Sequence, residues 1–401
     1  MPHRSKRRRP LLQNQQRRLT LHYILFQAAA ALAGGFIGAY LLQVGFSLSA
    51  ALGAYAAYLA ARSVLRFAAL AVIRRTGYRV AFGLGTTIVA LQFLPLIHAE
   101  RPWCLAAWIG CVALGEAFYW PIYHATMAIQ ASQETRGRQV AARTTILIML
   151  TIAGPLAGAA LLTRAGPAAS FGLATALTLL SVLPLRRLSI QAGPVPTWRE
   201  TLHIGDPTAL AAFAADGWLS AGLIIAWPMI LFTAVGAHFT TLGALNAAAG
   251  LVGAIASQFC GRGIDRGHRA TYLNSVCALL AAGLVLRAFA SWSAVAASVA
   301  NLTGGAVTAL YAPVLMSVIY DRAKRSGEMF RFHFLMEAGW DVGAVTGCLA
   351  AAAVAYVWPA SLAVLPAMVA IPIVYYCVRK EGKDFFFEKK KQKTFIPAVA
   401  E

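Results

Sequence analysis

The sequence predicts an all-α membrane protein of twelve transmembrane helices, arranged as two six-helix bundles in parallel pseudo-repeat. Three observations predict it. Hydrophobic residues fill 59% of the 401 positions and charged residues only 12%, about half the charged share of a soluble chain. The apolar residues fall in blocks of roughly 20 or more, long enough to cross a bilayer as helices. Three markers recur at nearly one offset. Gly77-Tyr78-Arg79 matches Gly267-His268-Arg269 at 267 − 77 = 190 positions, and Tyr119-Trp120-Pro121 matches Tyr311-Ala312-Pro313 at 313 − 121 = 192. Gly154 and Gly158 match Gly343 and Gly347 at 343 − 154 = 189. An offset of six helices, an even number, keeps corresponding helices parallel, so the pseudo-two-fold axis runs along the membrane normal.

Charge and turn residues bound each block. The first span, 19–46, follows Arg17 and Arg18. The second, 49–73, stops at Arg74 and Arg75, and the third, 79–97, begins at Arg79. The fourth, 103–131, follows Arg101 and stops ahead of Arg136 and Arg138. The fifth, 141–163, ends at Arg164, and the sixth, 167–185, at Arg186 and Arg187. The second half repeats the plan with 208–236, 239–260, 271–290, 293–319, 330–356 and 359–378. Its limits include Gly261, Arg287, Arg322, Arg331 and Arg379. The longest internal hydrophilic stretch holds Gly193-Pro194-Val195-Pro196 and sits at the midpoint, as a linker would. The expected division is a basic tail over 1–18, a bundle over 19–186, a linker over 187–207, a bundle over 208–378 and a basic tail over 379–401.

The net charge of +20 suggests nucleic acid until its placement is read. Lys and Arg gather at the two ends and in alternate loops, which is the pattern of cytoplasmic loops. Both termini are therefore expected in the cytoplasm of a multi-pass protein of the bacterial inner membrane. The terminal basic clusters suit anionic lipid headgroups, and no nucleic acid is expected as partner. The six cysteines lie in or beside apolar spans. They form no CxxC pair and no metal-ligand spacing with histidine, so no metal and no cofactor are expected. The basic head leads straight into a full-length span, so no cleavable signal is expected. A monomer is expected.

The loop from Gly261 to Arg269 gives the layout a family likeness. Over nearly the whole chain it resembles the major facilitator superfamily (MFS), whose signature loop reads Gly-x-x-x-Asp-Arg/Lys-x-Gly-Arg-Arg/Lys. Gly261, Asp265, Arg266 and Arg269 match it in the second half, with the loop one residue short near Gly267-His268. The first copy keeps Gly77 and Arg79 but has Arg75 where the Asp would stand. Gly154-Pro155-Leu156-Ala157-Gly158 resembles the end of that family's antiporter motif. The resemblance implies alternating access between two halves, with helices 2 and 11 approaching each other and helix 7 lining the cavity. In the loop, Asp265 would accept hydrogen bonds at a helix end. Arg266 and Arg269 would sit at the headgroups and Gly267 would allow a tight turn. Together they would make a latch; the plain alternative is a basic turn after a membrane helix.

An ionisable group inside a span is costly unless paired or hydrated, so each one is a functional candidate. Those here are Arg62, Arg66, Glu116, His124, Asp216, Glu337 and Asp341. Arg62 and Glu116 both lie 13 residues into their spans, at similar depth, so a pair between them is possible. It would be either structural or part of a proton or substrate site. Glu337 and Asp341 share a helix face, and two close carboxylates in low dielectric favour a proton on one of them. A bridge from Arg66 to either would close a gate; otherwise they neutralise Arg325, Arg331 and His333. Asp216 has no visible partner. Tyr119, Tyr123, Tyr311 and Trp340, with Trp120, are expected to line a cavity or to pack helices. The expected function is secondary active transport, coupled to protons and exporting small organic or amphipathic compounds. The alternatives are a metabolite importer, an uncoupled facilitator of the same fold, or a non-transporting scaffold or sensor. No Walker motif and no catalytic cluster is present, so no enzyme is expected.

Overall fold

The computed structural model describes the backbone of residues 3–131, 137–190, 192–203, 205–265 and 269–380. Side chains are described over 14–129, 143–258, 272–316 and 318–380, apart from 191 and 204. No strand occurs among the described residues. Eleven of the helices described are long and apolar enough to cross a membrane, and one of them, Leu48–Leu96, has 49 residues. At α-helical rise that is roughly 73 Å, more than twice a bilayer core. The chain breaks at Gly77, where φ is 79° and ψ is 163°. A residue without Cβ meets no steric bar at this φ. The break at Gly77 thus divides this helix into two crossings, which makes twelve among the described residues.

The helices are α1 (Asn14–Gln43), α2 (48–76), α3 (78–96), α4 (Pro102–Ile129), α5 (Arg143–Arg164) and α6 (Gly166–Leu185). The second set is α7 (Pro207–Ala234), α8 (Phe239–Gln258), α9 (Tyr272–Ala290), α10 (Ala294–Ser326), α11 (Met329–Val357) and α12 (Ala360–Lys380). The basic head expected as a tail is helical from His3 and runs unbroken into α1. Its Lys, Arg, Leu and Gln residues are all good helix formers. The expected linker is also partly ordered. Thr197 and Glu200 form a reciprocal capping box on a one-turn helix, Trp198–Leu202. Gln15 accepts from Ser189 N at 2.8 Å, and Arg331 donates to His203 O at 3.1 Å. The linker is thus fastened to both sets of helices.

Three of the seams along which the two sets meet differ in chemistry. In the first, α2 lies against α11 and carries charged side chains. In the second, α5 lies against α8. A Cβ at Gly243 would stand 2.5 Å from Ala159 Cβ and 2.6 Å from Pro155 O, and one at Gly250 would stand 2.9 Å from Thr151 O. In the third, α1 meets α7, where Gly38 closes on Met229. The outward faces are apolar: Ile146 and Met149 of α5, Leu251 and Ile255 of α8, and Val342 and Leu349 of α11 are exposed. Besides a single 3₁₀ turn at Gly34–Phe36 of α1, two helices depart from α geometry among the described residues. Residues Ala221–Ala226 of α7 are π-helical and Ala360–Val369 of α12 are 3₁₀. The two stretches pack against each other, and Trp218 Nε1 donates to Pro366 O at 2.7 Å.

Candidate functional site

Helical spacing builds the site. Arg62 and Arg66 are four apart on α2, and Glu337 and Asp341 are four apart on α11, so each pair shares one helix face. The α2–α11 seam turns these faces toward each other. Asp341, fully buried, receives both arginines. Arg62 donates to its Oδ1 through Nε at 2.8 Å and through Nη2, and Arg66 Nη2 donates to Oδ2 at 2.5 Å. Arg62 Nη1 also donates to Glu116 Oε2 on α4. Arg62 and Glu116 therefore do meet, within a four-residue network that crosses between the sets. Buried charges are stable only when paired in this way. The pairing of Arg66 is incomplete: its Nε and Nη1 are buried without a hydrogen-bond partner.

The side-chain carboxylate of Glu337 has a different partner from that of Asp341. Its Oε1 lies 3.5 Å from His124 Nε2 on α4, and its backbone carbonyl is 3.5 Å from Arg66 Nη2. The alternative that both carboxylates neutralise Arg331 is not what forms, because Arg331 pairs with Glu328. His124 is no lone histidine. Its ring stacks 5.6 Å from that of His333, whose two ring nitrogens are buried without partners.

Asp216 is placed by backbone contact. A Cβ at Gly217 would stand 2.1 Å from Trp340 O, and one at Gly343 would stand 1.8 Å from Ala214 O. So α7 and α11 touch main chain to main chain, which only small residues permit. In that register Asp216 Oδ1 accepts from Tyr311 Oη at 2.8 Å and Oδ2 accepts from Trp340 Nε1 at 3.0 Å. Tyr311 therefore stands behind Asp216 and is not among the residues that line the cavity.

Between the sets lies a cavity of about 240 Å³, lined by Tyr58, Arg62, Glu116, Trp120, His124, Phe213, Asp216, Met316, Glu337 and Trp340. A second cavity, of about 210 Å³, shares Tyr58, Glu116 and Trp120 as a wall. On α4 the lining residues Glu116, Trp120 and His124 recur every four positions, along one stripe. Tyr119 and Tyr123 lie one position earlier, about 100° round the helix. They therefore face the inside of the first set and not the cavity. Tyr119 stacks on Phe26 with ring centroids 4.2 Å apart and reaches His22 Nε2 at 3.2 Å, and Tyr123 stacks on Tyr23 at 4.8 Å. His22 is itself fully buried, with Nδ1 on Ser181 O at 2.8 Å. Sequence reading missed Tyr58, Phe213, Met316 and His22, and it named His333 only as a group for the α11 carboxylates to neutralise. The every-fourth spacing of Tyr58 to Arg62, and of His333 to Glu337, was the signal available.

Gly154 and Gly158 of the helix-5 motif pack α5 on α1, where a Cβ would stand 2.5 Å from Ala31 Cβ and 1.8 Å from Leu32 O respectively. Pro155 presents its carbonyl to Gly243. Arg79 is exposed beside the break at Gly77. In the second loop, Arg266 and Gly267 lie outside the described residues, as do the side chains of Asp265 and Arg269; Gly261 is part of the helix Phe239–Asp265. No group of three or more His, Cys, Asp or Glu placed to hold a metal occurs among the described residues.

No family model matches the sequence, and no curated protein matches it. Solved structures do match the fold. A bacterial homologue of the iron transporter ferroportin, in the inward-facing state, is 14% identical with a TM-score of 0.63, over 92% of this chain and 99% of that one. The MFS transporter FucP, in the outward conformation, is 13% identical with a TM-score of 0.62, over 91% and 97%. The chain has the MFS fold. A further FucP structure is described as the E. coli fucose:proton symporter, at 14% identity, a TM-score of 0.60 and 91% and 97% coverage. A bacterial homologue of the human drug peptide transporters PepT1 and PepT2 shares the MFS fold at 12% identity and a TM-score of 0.64, over 94% and 99%. All of these neighbours are transporters. In MFS terms, the charged network of this chain lies on the α2–α11 seam, and its cavity lies between the two repeats.

Proposed function

We propose that this chain is a secondary active transporter that alternates access to the central cavity, is coupled to protons, and exports small organic or amphipathic compounds. One observation carries the reading: each buried carboxylate of α11 is held by groups of the other repeat. Asp341 is held by Arg62 and Arg66, and Glu337 by His124. Protonating either carboxylate weakens an attraction across the line along which the repeats part. Proton binding and rocking then share one free energy. The unfilled donors of Arg66 give Glu337 a second partner when it leaves His124. Export is supported by the likeness of Gly154-Pro155-Gly158 to an antiporter motif. The placement of basic residues supports the bacterial inner membrane with both termini cytoplasmic, the loop at Asp265 supports a latch, and the chain acts as a monomer.

The test is a pH step across proteoliposomes, with a substrate found by a growth screen of a deletion strain. Glu337→Gln or Asp341→Asn abolishes uphill accumulation and leaves downhill exchange measurable. Accumulation that persists in all four of Glu337→Gln, Asp341→Asn, Asp216→Asn and Glu116→Gln sinks proton coupling. The likeness to a fucose:proton symporter favours a second reading, import. The same vesicles separate the two by the sign of the pH gradient that drives uptake.

A further inference from the structure

We infer that the central cavity takes a small organic cation and that Asp216 is its counter-ion. This rests on the transport reading above. The first argument is the charge left over on the lining. Arg62 is the one arginine or lysine that lines the cavity among the described residues, and its guanidinium is already divided between Glu116 and Asp341. The other oxygen of Asp341 is taken by Arg66. Two arginines and two carboxylates sum to zero. Glu337 faces His124 at 3.5 Å, and with one proton between them that pair also sums to zero. Asp216 remains. Its two partners, Tyr311 and Trp340, are neutral donors, and each carboxylate oxygen can accept more than the one bond it has. An ionised Asp216 is therefore a negative charge without a positive neighbour, in a site that disfavours lone charges. A cation in the cavity offsets it, a neutral compound leaves it, and an anion adds to it.

The second argument is independent of that sum. The walls already hold a cation belonging to the chain. The Arg62 guanidinium carbon lies 5.2 Å from the Trp340 ring centre and 5.9 Å from that of Tyr58. Ring faces near carboxylates are what an organic ammonium or guanidinium needs. Trp120, Phe213 and Met316 extend this surface around the rest of the cavity. At about 240 Å³ the space lies below the range of roughly 300–1,000 Å³ usual for drug-sized ligands. It suits a compact monocation with one ring.

The experiment is a titration of the full chain in nanodiscs, read by calorimetry, with three compounds of similar size. They are benzyltrimethylammonium, the neutral N-benzylacetamide and the anion phenylacetate. The cation binds tighter than the other two by roughly 10- to 100-fold, the value of one charge-assisted contact. Asp216→Asn, whose amide oxygen can accept from Trp340 Nε1 while its NH2 donates to Tyr311 Oη, removes that preference. The comparison of the three compounds on the unaltered chain stands even if the variant does not fold. Equal binding of the three, no binding of the cation, or a preference that survives Asp216→Asn overturns the proposal. Counterflow of bound benzyltrimethylammonium in vesicles separates the two readings. Binding without movement leaves the cation site and removes the transport reading. Movement of a neutral or anionic compound in preference does the reverse.

Discussion

The α2–α11 seam and the α5–α8 seam join the same two repeats by opposite chemistry. On α2–α11, Arg62 and Arg66 reach Asp341 with long side chains, and the contact is a set of charge-assisted bonds. On α5–α8, Gly243 and Gly250 let the backbones of Pro155 and Thr151 approach directly, and no charge is involved. Charged bonds respond to a proton or to a competing ion. A close contact between small residues responds only to shape. One seam can therefore sense the contents of the cavity, while the other supplies a surface on which the repeats keep their register.

The largest effect is expected where the difference is broken outright. Asp341→Ala leaves Arg62 and Arg66 buried without their shared acceptor, and losing one member of a buried ion network costs about 3–5 kcal/mol. Unfolding in detergent, followed by heat or denaturant, should show a large loss; a drop below about 1 kcal/mol would mean that water already relieves the arginines. The glycine seam is next. Gly243→Val sets carbon against Ala159 and Pro155 and should cost about 1–3 kcal/mol as overpacking. Its transport should slow while keeping the wild-type dependence on pH. A shifted pH profile in that variant would erase the distinction between the seams. The smallest effect marks the far end of the comparison. A Cβ added at Gly283 of α9 would meet nothing within 4 Å, so Gly283→Ala should stabilise by at most about 1 kcal/mol. A loss of stability there would show that small residues matter in this chain wherever they stand.

The sequence made some of this legible for a definite reason. Seven ionisable residues in apolar spans are conspicuous because burial is costly, and equal depth was enough to pair Arg62 with Glu116. The approach of α2 to α11 came from the family resemblance, and it left the partner of Arg66 open between Glu337 and Asp341. The aromatic residues were harder, because a tyrosine suits a cavity wall and a packed interior equally well. Tyr119 and Tyr123 lay one step off the stripe of Glu116, Trp120 and His124, and only that phase told them apart. The partners of Asp216 could not be read at all. They depend on a cross-helix register set by Gly217 and Gly343, which no single helix encodes. The winding of α7 and α12 was equally hidden, since hydropathy counts residues and is blind to rise.

That winding has a consequence for reach. Ten residues of α12, Ala360–Val369, are 3₁₀, and they advance roughly 20 Å where an α-helix would advance roughly 15 Å. The 21 residues of α12 therefore cover the distance of about 24 in ordinary helix. A hydrophobic stretch near the minimum for a bilayer gains length by being drawn thinner, so a thicker membrane can be met without a longer sequence.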